Sequence, residues 1–365
     1  MHTQPVSLNC NDEWPSAFRG TSSIDGQYAR DDARSGRPRA DEAFSVETLL
    51  VPEPGPEEVR VSVSACGICH SDAYVLENSF PGISYPRVPG HEIVGRVDAV
   101  GEAVEAWEPG DRIGAGWHGG HCFTCEPCRR GQFRQCETGE VTGVTTDGGY
   151  AEYVTVPTEA LAAVPETLTA VEAAPLLCAG LTTYNALRHT DARSGDLVAV
   201  QGIGGLGHLG LQYAAEAGFE TVAVSGSPEK ESLARSLGAD HFVDTTGTDP
   251  AEQLQDLGGA SVILATAPDS DALSAAIGGL GVDGELVAVG VPGEPIEVDI
   301  AELVASRGSV SGWSSGHPRE AEATLEFSAA REITPTVETY PLAEVEEAYE
   351  RMADHEARFR VVLEP

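Results

Sequence analysis

The stretch Leu197-Val-Ala-Val200-Gln-Gly202-Ile-Gly204-Gly205-Leu-Gly207, running on into helical Leu206–Ala217, constrains the fold of this chain more than any other segment. A glycine run alone says little. Set between a short apolar strand and a helix, it has the context that a dinucleotide-binding turn requires. Gly202, Gly204, Gly205 and Gly207 permit a tight turn and the close approach of a pyrophosphate, which then meets the positive end of the helix. The rhythm continues downstream. Strand candidates at Thr221–Val224, His241–Val243, Val262–Leu264 and Leu286–Val289 alternate with helix candidates at Glu229–Leu237, Ala251–Leu257 and Asp271–Leu280. Strands and helices alternating at this length argue an α/β region with a parallel, doubly wound Rossmann sheet over residues 180–312.

The tip of the second strand selects the dinucleotide. An NAD site usually places Asp or Glu there, about 20 residues past the fingerprint, on the ribose 2′-hydroxyl. This chain has Val224-Ser225-Gly226-Ser227-Pro228-Glu229-Lys230 instead. No carboxylate stands there to repel a 2′-phosphate, Ser225 and Ser227 offer hydroxyls, and Lys230 offers a charge. NADP is the expected cofactor and NAD the alternative. A solvated Lys230 pairing with Glu229 or Glu231 is the plainer reading of that residue.

The rest of the chain has a different texture. Val59–Val63 alternates as a strand should, Ile93–Val100 and Glu152–Pro157 are further strand candidates, and after about Gly312 come a helix at Leu342–Met352 and a last strand at Phe359–Leu363. Residues 114–146 are loop-like and hold Cys122-Phe-Thr-Cys125-Glu-Pro-Cys128, closed by Cys136. Four thiolates so close in sequence can meet at one tetrahedral centre, and zinc is the usual occupant. Such a site is structural, since no corner is left for substrate. A disulfide pair and a redox Cys-x-x-Cys are the weaker readings.

Composition narrows the function. The 365 residues carry 22 basic and 58 acidic side chains, a net charge of -36, and every basic residue but Lys230 is arginine. Nucleic acid and anionic membrane are poor partners for such a surface. An acidic, nearly lysine-free exterior suits a high-salt cytoplasm, where ions screen the self-repulsion. No apolar run reaches the length of about 18 residues that a membrane span needs, and the N-terminus lacks a signal-peptide pattern, so a cytoplasmic location is expected. Residues 1–40 hold as many arginines as acids, so the whole net charge falls on 41–365. That leading stretch shows no period of either kind and reads as a disordered tail or a misplaced start.

Ala65-Cys-Gly-Ile-Cys-His-Ser-Asp72, Val88-Pro-Gly-His-Glu92, the four-cysteine lobe, Asp147-Gly-Gly-Tyr-Ala-Glu-Tyr153, Pro175-Leu-Leu-Cys-Ala-Gly180 and the glycine turn occur in that order. In this the chain resembles the zinc-dependent medium-chain alcohol dehydrogenases over residues 43–363, with motifs closest to the bacterial and archaeal enzymes and the cinnamyl-alcohol type. The resemblance implies a mostly antiparallel, GroES-like catalytic domain at 41–179 and 313–365, its structural zinc lobe at 114–146, beside the dinucleotide-binding domain. It implies two zinc ions per chain, with Cys69, His91 and Cys178 as ligands of the catalytic one. It further implies that Ser71 takes the substrate proton, that Asp72 orients the zinc-binding histidine, and that Glu92 lies near the metal. His70 would contact the cofactor pyrophosphate and Thr182 the nicotinamide. The implied activity interconverts primary aliphatic or aromatic alcohols and aldehydes, in a homo-oligomer, dimer or tetramer.

Three departures stand out. Many relatives carry a relay histidine where this chain has Tyr74. Cys66 matches no ligand and reads as a small core residue. Ser35-Gly-Arg-Pro-Arg-Ala40 lies where the family's opening strand belongs and is not expected to form a regular strand. The competing enzyme reading is a polyol or sugar dehydrogenase, in which a glutamate commonly replaces the third cysteine ligand; Cys178 argues against it. A zinc ribbon that binds nucleic acid and a zinc-free quinone reductase are the readings from further afield.

Overall fold

In the computed structural model, residues 44–365 are described in full and Asp31–Gly36 by its backbone. The expectations for residues 1–30 and 37–40 lie outside the described residues. From Asp31 onward the chain forms one compact unit.

Two sheets carry the architecture. The first has seven strands, built outward from the long strand Glu58–Ile68, whose burial alternates along Glu58–Val63 as a half-buried strand must. Ile93–Val100, Tyr153–Pro157 and Arg360–Glu364 all pair with it antiparallel. Arg112–Ala115 and Leu161–Ala163 extend one side, and Val337–Pro341 joins Arg360–Glu364 in parallel. Val59, Val61, Ile93, Ile113, Tyr150 and Leu363 fill the core beneath it. The register of Glu58–Ile68 against Ile93–Val100 slips twice, at Arg60/Val61 and Val63/Ala65. Irregularities of this kind bend a strand and re-aim its end. Here that end carries Cys66–Asp72.

The second sheet is wholly parallel, in the order His241–Asp244, Glu220–Ser225, Leu197–Gln201, Ala260–Ala265, Leu280–Ala288, Ser309–Gly312. The chain works outward from Leu197–Gln201 in one direction and then returns to build the other side. A crevice therefore opens beyond the strand ends between Leu197–Gln201 and Ala260–Ala265, the place where open α/β sheets bind ligands. The expected strands are all present, within a few residues of their expected ends except that Leu280–Ala288 is longer. Helices occupy Gly207–Glu216, Glu231–Ser236, Pro250–Asp256 and Ser270–Ile277.

The structure also corrects the reading. Asp31–Gly36 is a strand, paired antiparallel with Ser45–Leu50 in the register Gly36↔Ser45, so Ser35 and Gly36 belong to a hairpin and the leading stretch does not run unbroken to residue 40. Its sequence lacks strand character of its own; pairing with the partner strand supplies the backbone hydrogen bonds. The loop-like lobe contains the short pairing His118–Gly120 with Glu140–Val141 and one helical turn, Glu126–Arg129. Ala170–Pro175 and Leu181–Arg188 are helices joined by a wide turn, Leu176–Gly180, in which the hydrogen bonds span five residues. The helix Pro318–Arg331 packs against this assembly.

His208 ties the glycine turn to the seven-stranded side. Fully buried, its Nδ1–H donates to Gly204 O (2.9 Å), its Nε2 accepts from Thr336 N (3.2 Å), and its ring stacks on Phe359 at 5.0 Å. Burial pushes its pKa down to about 4. A histidine depressed when folded contributes stability above its unfolded value near 6.5, and loses it as pH falls from there toward 4. Between pH 7 and 5 the wild type should therefore lose about 2 kcal/mol more stability than His208→Asn in urea titrations. Equal losses would refute a neutral, buried His208.

Candidate active site

The re-aimed end of Glu58–Ile68 places Cys69 before a tight turn at His70–Asp72. Asp72 is fully buried and its carboxylate is saturated by the protein. One oxygen accepts from Cys69 N (2.8 Å) and Tyr150 Oη (2.7 Å); the other faces His91 Nδ1 at 3.0 Å. Donation from Nδ1–H leaves His91 Nε2 as a free lone pair, enclosed and without a hydrogen-bond partner. It points among sulfur and oxygen. Cys69, His91, Glu92 and Cys178 bring one ligand atom each within 4.8 Å of one another, and the two sulfurs are 3.9 Å apart. Cys178 comes from the wide turn Leu176–Gly180, and such turns recur at functional sites. The Trp117 ring meets His91 edge-on at 4.9 Å, and Tyr74 and Phe80 complete an aromatic wall beside it.

The electrostatics of the cluster are those of a cation site. The Cys178 hydrogen bond and the neighbouring His91 hold the Cys69 thiol well below its usual pKa against the effect of burial. The hydrogen bond to Cys69 and burial push Cys178 well above it. Burial alone would lower the His91 pKa, yet the charge and hydrogen bond of Asp72 outweigh it and raise the value. The pocket thus stabilises positive charge at Nε2. Two soft sulfurs, an imidazole and a carboxylate are donors suited to zinc.

Glu92 is also fully buried. One of its oxygens pairs with the Arg360 guanidinium and the other has no partner. Burial raises its pKa to about 7 in spite of Arg360. A Cβ on Gly67 would stand 1.9 Å from the unpaired oxygen, so only glycine leaves the carboxylate this room. Arg360 donates to Ile68 O (3.1 Å) as well, and its other side lies 3.1 Å from where a Cβ on Gly205 would sit. This one side chain therefore links the thiol cluster to the glycine turn. Sequence reading overlooked Arg360, Tyr150 and the Trp117–His91 contact. An arginine opening the apolar run Val361–Leu363 is the signal that could have exposed Arg360.

The other expected residues fall in two places. Gly202, Gly204, Gly205 and Gly207 form the turn at the end of Leu197–Gln201, with Gly202 at φ +90°. A Cβ on Gly207 would come within 1.8 Å of Gly202 O, which makes glycine obligatory there. Ser225 ends its strand and its Oγ accepts from Ser227 N (3.1 Å). Lys230 does not pair with Glu229 or Glu231. Its Nζ donates to Ile203 O (3.0 Å) inside the glycine turn and lies 6.0 Å from the Phe359 ring centre. His70 is exposed and stacks on His355 at 5.1 Å. Ser71 is half-buried in the turn beside Cys69. Thr182 is buried, its Oγ1 accepting from Ser315 N (3.1 Å). Cys66 is a fully buried core residue.

The second cluster is separate. The sulfurs of Cys122, Cys125, Cys128 and Cys136 lie within 4.8 Å of one another, with no disulfide among them. Backbone N–H groups of Cys122 and Cys125 point at Cys136 Sγ (3.3 Å) and Cys122 Sγ (3.4 Å), which favours thiolates. Hydrogen bonds, first from Thr124, bring the Cys122 thiol down to about 5.

A parallel sheet with a glycine turn at its switch point, joined to a β-rich region bearing a Cys/His/Cys cluster, defines a nucleotide-dependent zinc oxidoreductase. Residues 55–166 match the alcohol dehydrogenase GroES-like domain and residues 205–330 the zinc-binding dehydrogenase domain. Over 320 residues the chain is 44% identical to alcohol dehydrogenase notN of Aspergillus sp. (strain MF297-2), covering 88% of this chain and 94% of that protein. Among solved structures it is similar to the cinnamyl alcohol dehydrogenase SbCAD4 of Sorghum bicolor (TM-score 0.82, 31% identity, 92% of this chain and 98% of that one). It is similar also to a Helicobacter pylori CAD complexed with NADP(H) (TM-score 0.82, 28% identity, 92% and 99%). The chain belongs to the zinc-dependent medium-chain alcohol dehydrogenases, and its activity is NAD(P)-dependent alcohol oxidoreduction; the polyol reading is not favoured.

Asp72→Asn removes the charge that orients His91 while keeping its shape. Zinc affinity should fall by about 10–100-fold, read by competition with a chelator. Unchanged affinity would show that Asp72 does not set the histidine.

Proposed function

We propose that Cys69, His91 and Cys178 hold a catalytic zinc, that Cys122, Cys125, Cys128 and Cys136 hold a structural one, and that the glycine turn carries NADP. The observation that carries the first assignment is the buried His91 Nε2, left without a partner and facing two sulfurs. When bound, zinc polarises the substrate oxygen and eases loss of an alcohol proton, while the nicotinamide exchanges hydride with the carbon. The chain's own residues do the rest. Asp72 fixes the His91 tautomer. Ser71, beside Cys69, takes the alcohol proton and returns it to a product in the reductive direction. Thr182, fixed by Ser315 N, packs against the nicotinamide, and His70 meets the pyrophosphate. Tyr74 replaces the relay histidine, so proton release runs from Ser71 through water. Glu92, with one oxygen unpaired, balances charge beside the metal.

The substrates we infer are primary alcohols and aldehydes, aliphatic or aromatic, with the Tyr74–Phe80–Trp117 wall lining the approach to His91. NADP is favoured over NAD by the missing carboxylate at Ser225 and by Lys230 beside the turn. We read 41–179 with 313–365 as the catalytic domain and 180–312 as the dinucleotide domain, in a cytoplasmic homo-oligomer, dimer or tetramer. Exposed Val291, Ile300 and Val304 precede Ser309–Gly312, a strand with a single neighbour among the described residues, and support self-association. Among the described residues no helix is long and apolar enough to cross a membrane.

Two experiments test the assignments. Cys178→Ala should abolish aldehyde reduction and keep most of the melting temperature, whereas Cys125→Ala should mainly lower it. Equal losses of stability would contradict a division into catalytic and structural sites. Lys230→Ala should raise the Kd of NADPH by about tenfold, the worth of one charged contact, and that of NADH far less. A parallel rise in both would mean that Lys230 serves only the glycine turn through Ile203.

A further inference from the structure

Arg134 is a half-buried charged side chain that the foregoing leaves without a task. It lies in the turn Phe133–Gln135 of the four-cysteine lobe, two residues before Cys136, and its side chain reaches Ser314. Its Nη2 donates to Ser314 Oγ (3.3 Å), its Nε–H is enclosed with no acceptor, and its Nη1 makes no hydrogen bond. Among the described residues it has no carboxylate within ion-pair distance, in a chain with 58 acids against 22 bases. Glu320, on the neighbouring helix Pro318–Arg331, is an acid whose charge reaches it. Glu320 is already engaged, accepting from His317 N (2.9 Å) to cap the helix Pro318–Arg331.

Ser314 is exposed, just past the C-terminal end of Ser309–Gly312, on the side of the parallel sheet where ligands bind. The turn that presents it is fixed: Ser315 N donates to Thr182 Oγ1 (3.1 Å), and Ser315 O accepts from Asn185 Nδ2 (3.3 Å) and Trp313 Nε1 (3.1 Å). Arg134 therefore stands beside Ser314, one residue from the Ser315 N that holds Thr182. A half-buried guanidinium with unused N–H groups is short of acceptors, and a planar carboxylate fits its fork. The wider field of a chain at -36 opposes entry of any anion, so selection of one needs a local cation here.

We propose that Arg134 recognises a carboxylate on the substrate, so that the preferred aldehydes and alcohols carry an acid group remote from the reacting carbon. This rests on alcohol and aldehyde oxidoreduction at the Cys69–His91–Cys178 cluster, and it names the substrate class of that site. Arg134 is a specificity-determining residue and touches no reacting atom.

The test compares NADPH-dependent reduction of terephthalaldehydic acid with that of its methyl ester, and of succinic semialdehyde with butanal, near neutral pH. In the wild type at least one acid should exceed its neutral counterpart in kcat/KM by about tenfold or more, the worth of one charged hydrogen bond. Arg134→Gln should erase that ratio, mainly through KM of the acid. Arg134→Lys should restore part of it, since it keeps charge without the fork. Melting temperatures of both variants separate this from mere tethering of the lobe. Acid and neutral aldehydes reduced equally well by the wild type would overturn the proposal, as would a change in Arg134→Gln that falls alike on both. Reduction of neither kind would instead defeat the underlying aldehyde reading.

Discussion

The site depends on one buried carboxylate. Asp72 receives a backbone N–H, a tyrosine hydroxyl and an imidazole N–H within 3.0 Å, from three segments far apart in sequence. A carboxylate out of water is costly unless donors replace its hydration, and these three do so. In satisfying Asp72, the fold fixes the direction of Cys69, closes Tyr150 over the turn, and commits Nδ1 of His91. Nε2 has then one way to face. The unengaged lone pair beside two sulfurs follows from the Asp72 contacts.

Arg360 extends the arrangement to the cofactor. It neutralises Glu92, caps Ile68 O and underlies Gly205, so that charge near the thiol cluster and the shape of the glycine turn are set by one side chain. His208 and Lys230 reinforce the same junction, each bonded to a carbonyl of the glycine turn and each near Phe359. Cofactor turn and thiol cluster are therefore positioned against each other by buried polar contacts. Such contacts specify geometry where apolar packing alone would tolerate slippage.

Much of this was legible from sequence where local pattern and tertiary demand coincide. Ile93–Val100 and Leu197–Gln201, rich in β-branched and apolar residues and each followed by a glycine, are strands. The thiol pairings with His91 came from matched motifs; their spacing carried no such information. Other elements were hidden for physical reasons. Pro318–Arg331 buries Ala321, Thr324, Leu325 and Ser328, a face of small and hydroxylated residues whose apolar stripe is faint. Leu176–Gly180 follows Pro175 and has no helical period to read, although it holds Cys178. Asp31–Gly36 is a strand only because Ser45–Leu50 pairs with it. Arg360 was overlooked because its buried partner Glu92 lies more than two hundred residues away in sequence.

A crystal structure with an anomalous map at the zinc absorption edge tests the central claim most directly. An ion bonded to the sulfurs of Cys69 and Cys178 at about 2.3 Å and to His91 Nε2 at about 2.1 Å, with Asp72 still on Nδ1, is the predicted result. An ion bound elsewhere, or a His91 ring turned so that Nε2 meets Asp72, would contradict it.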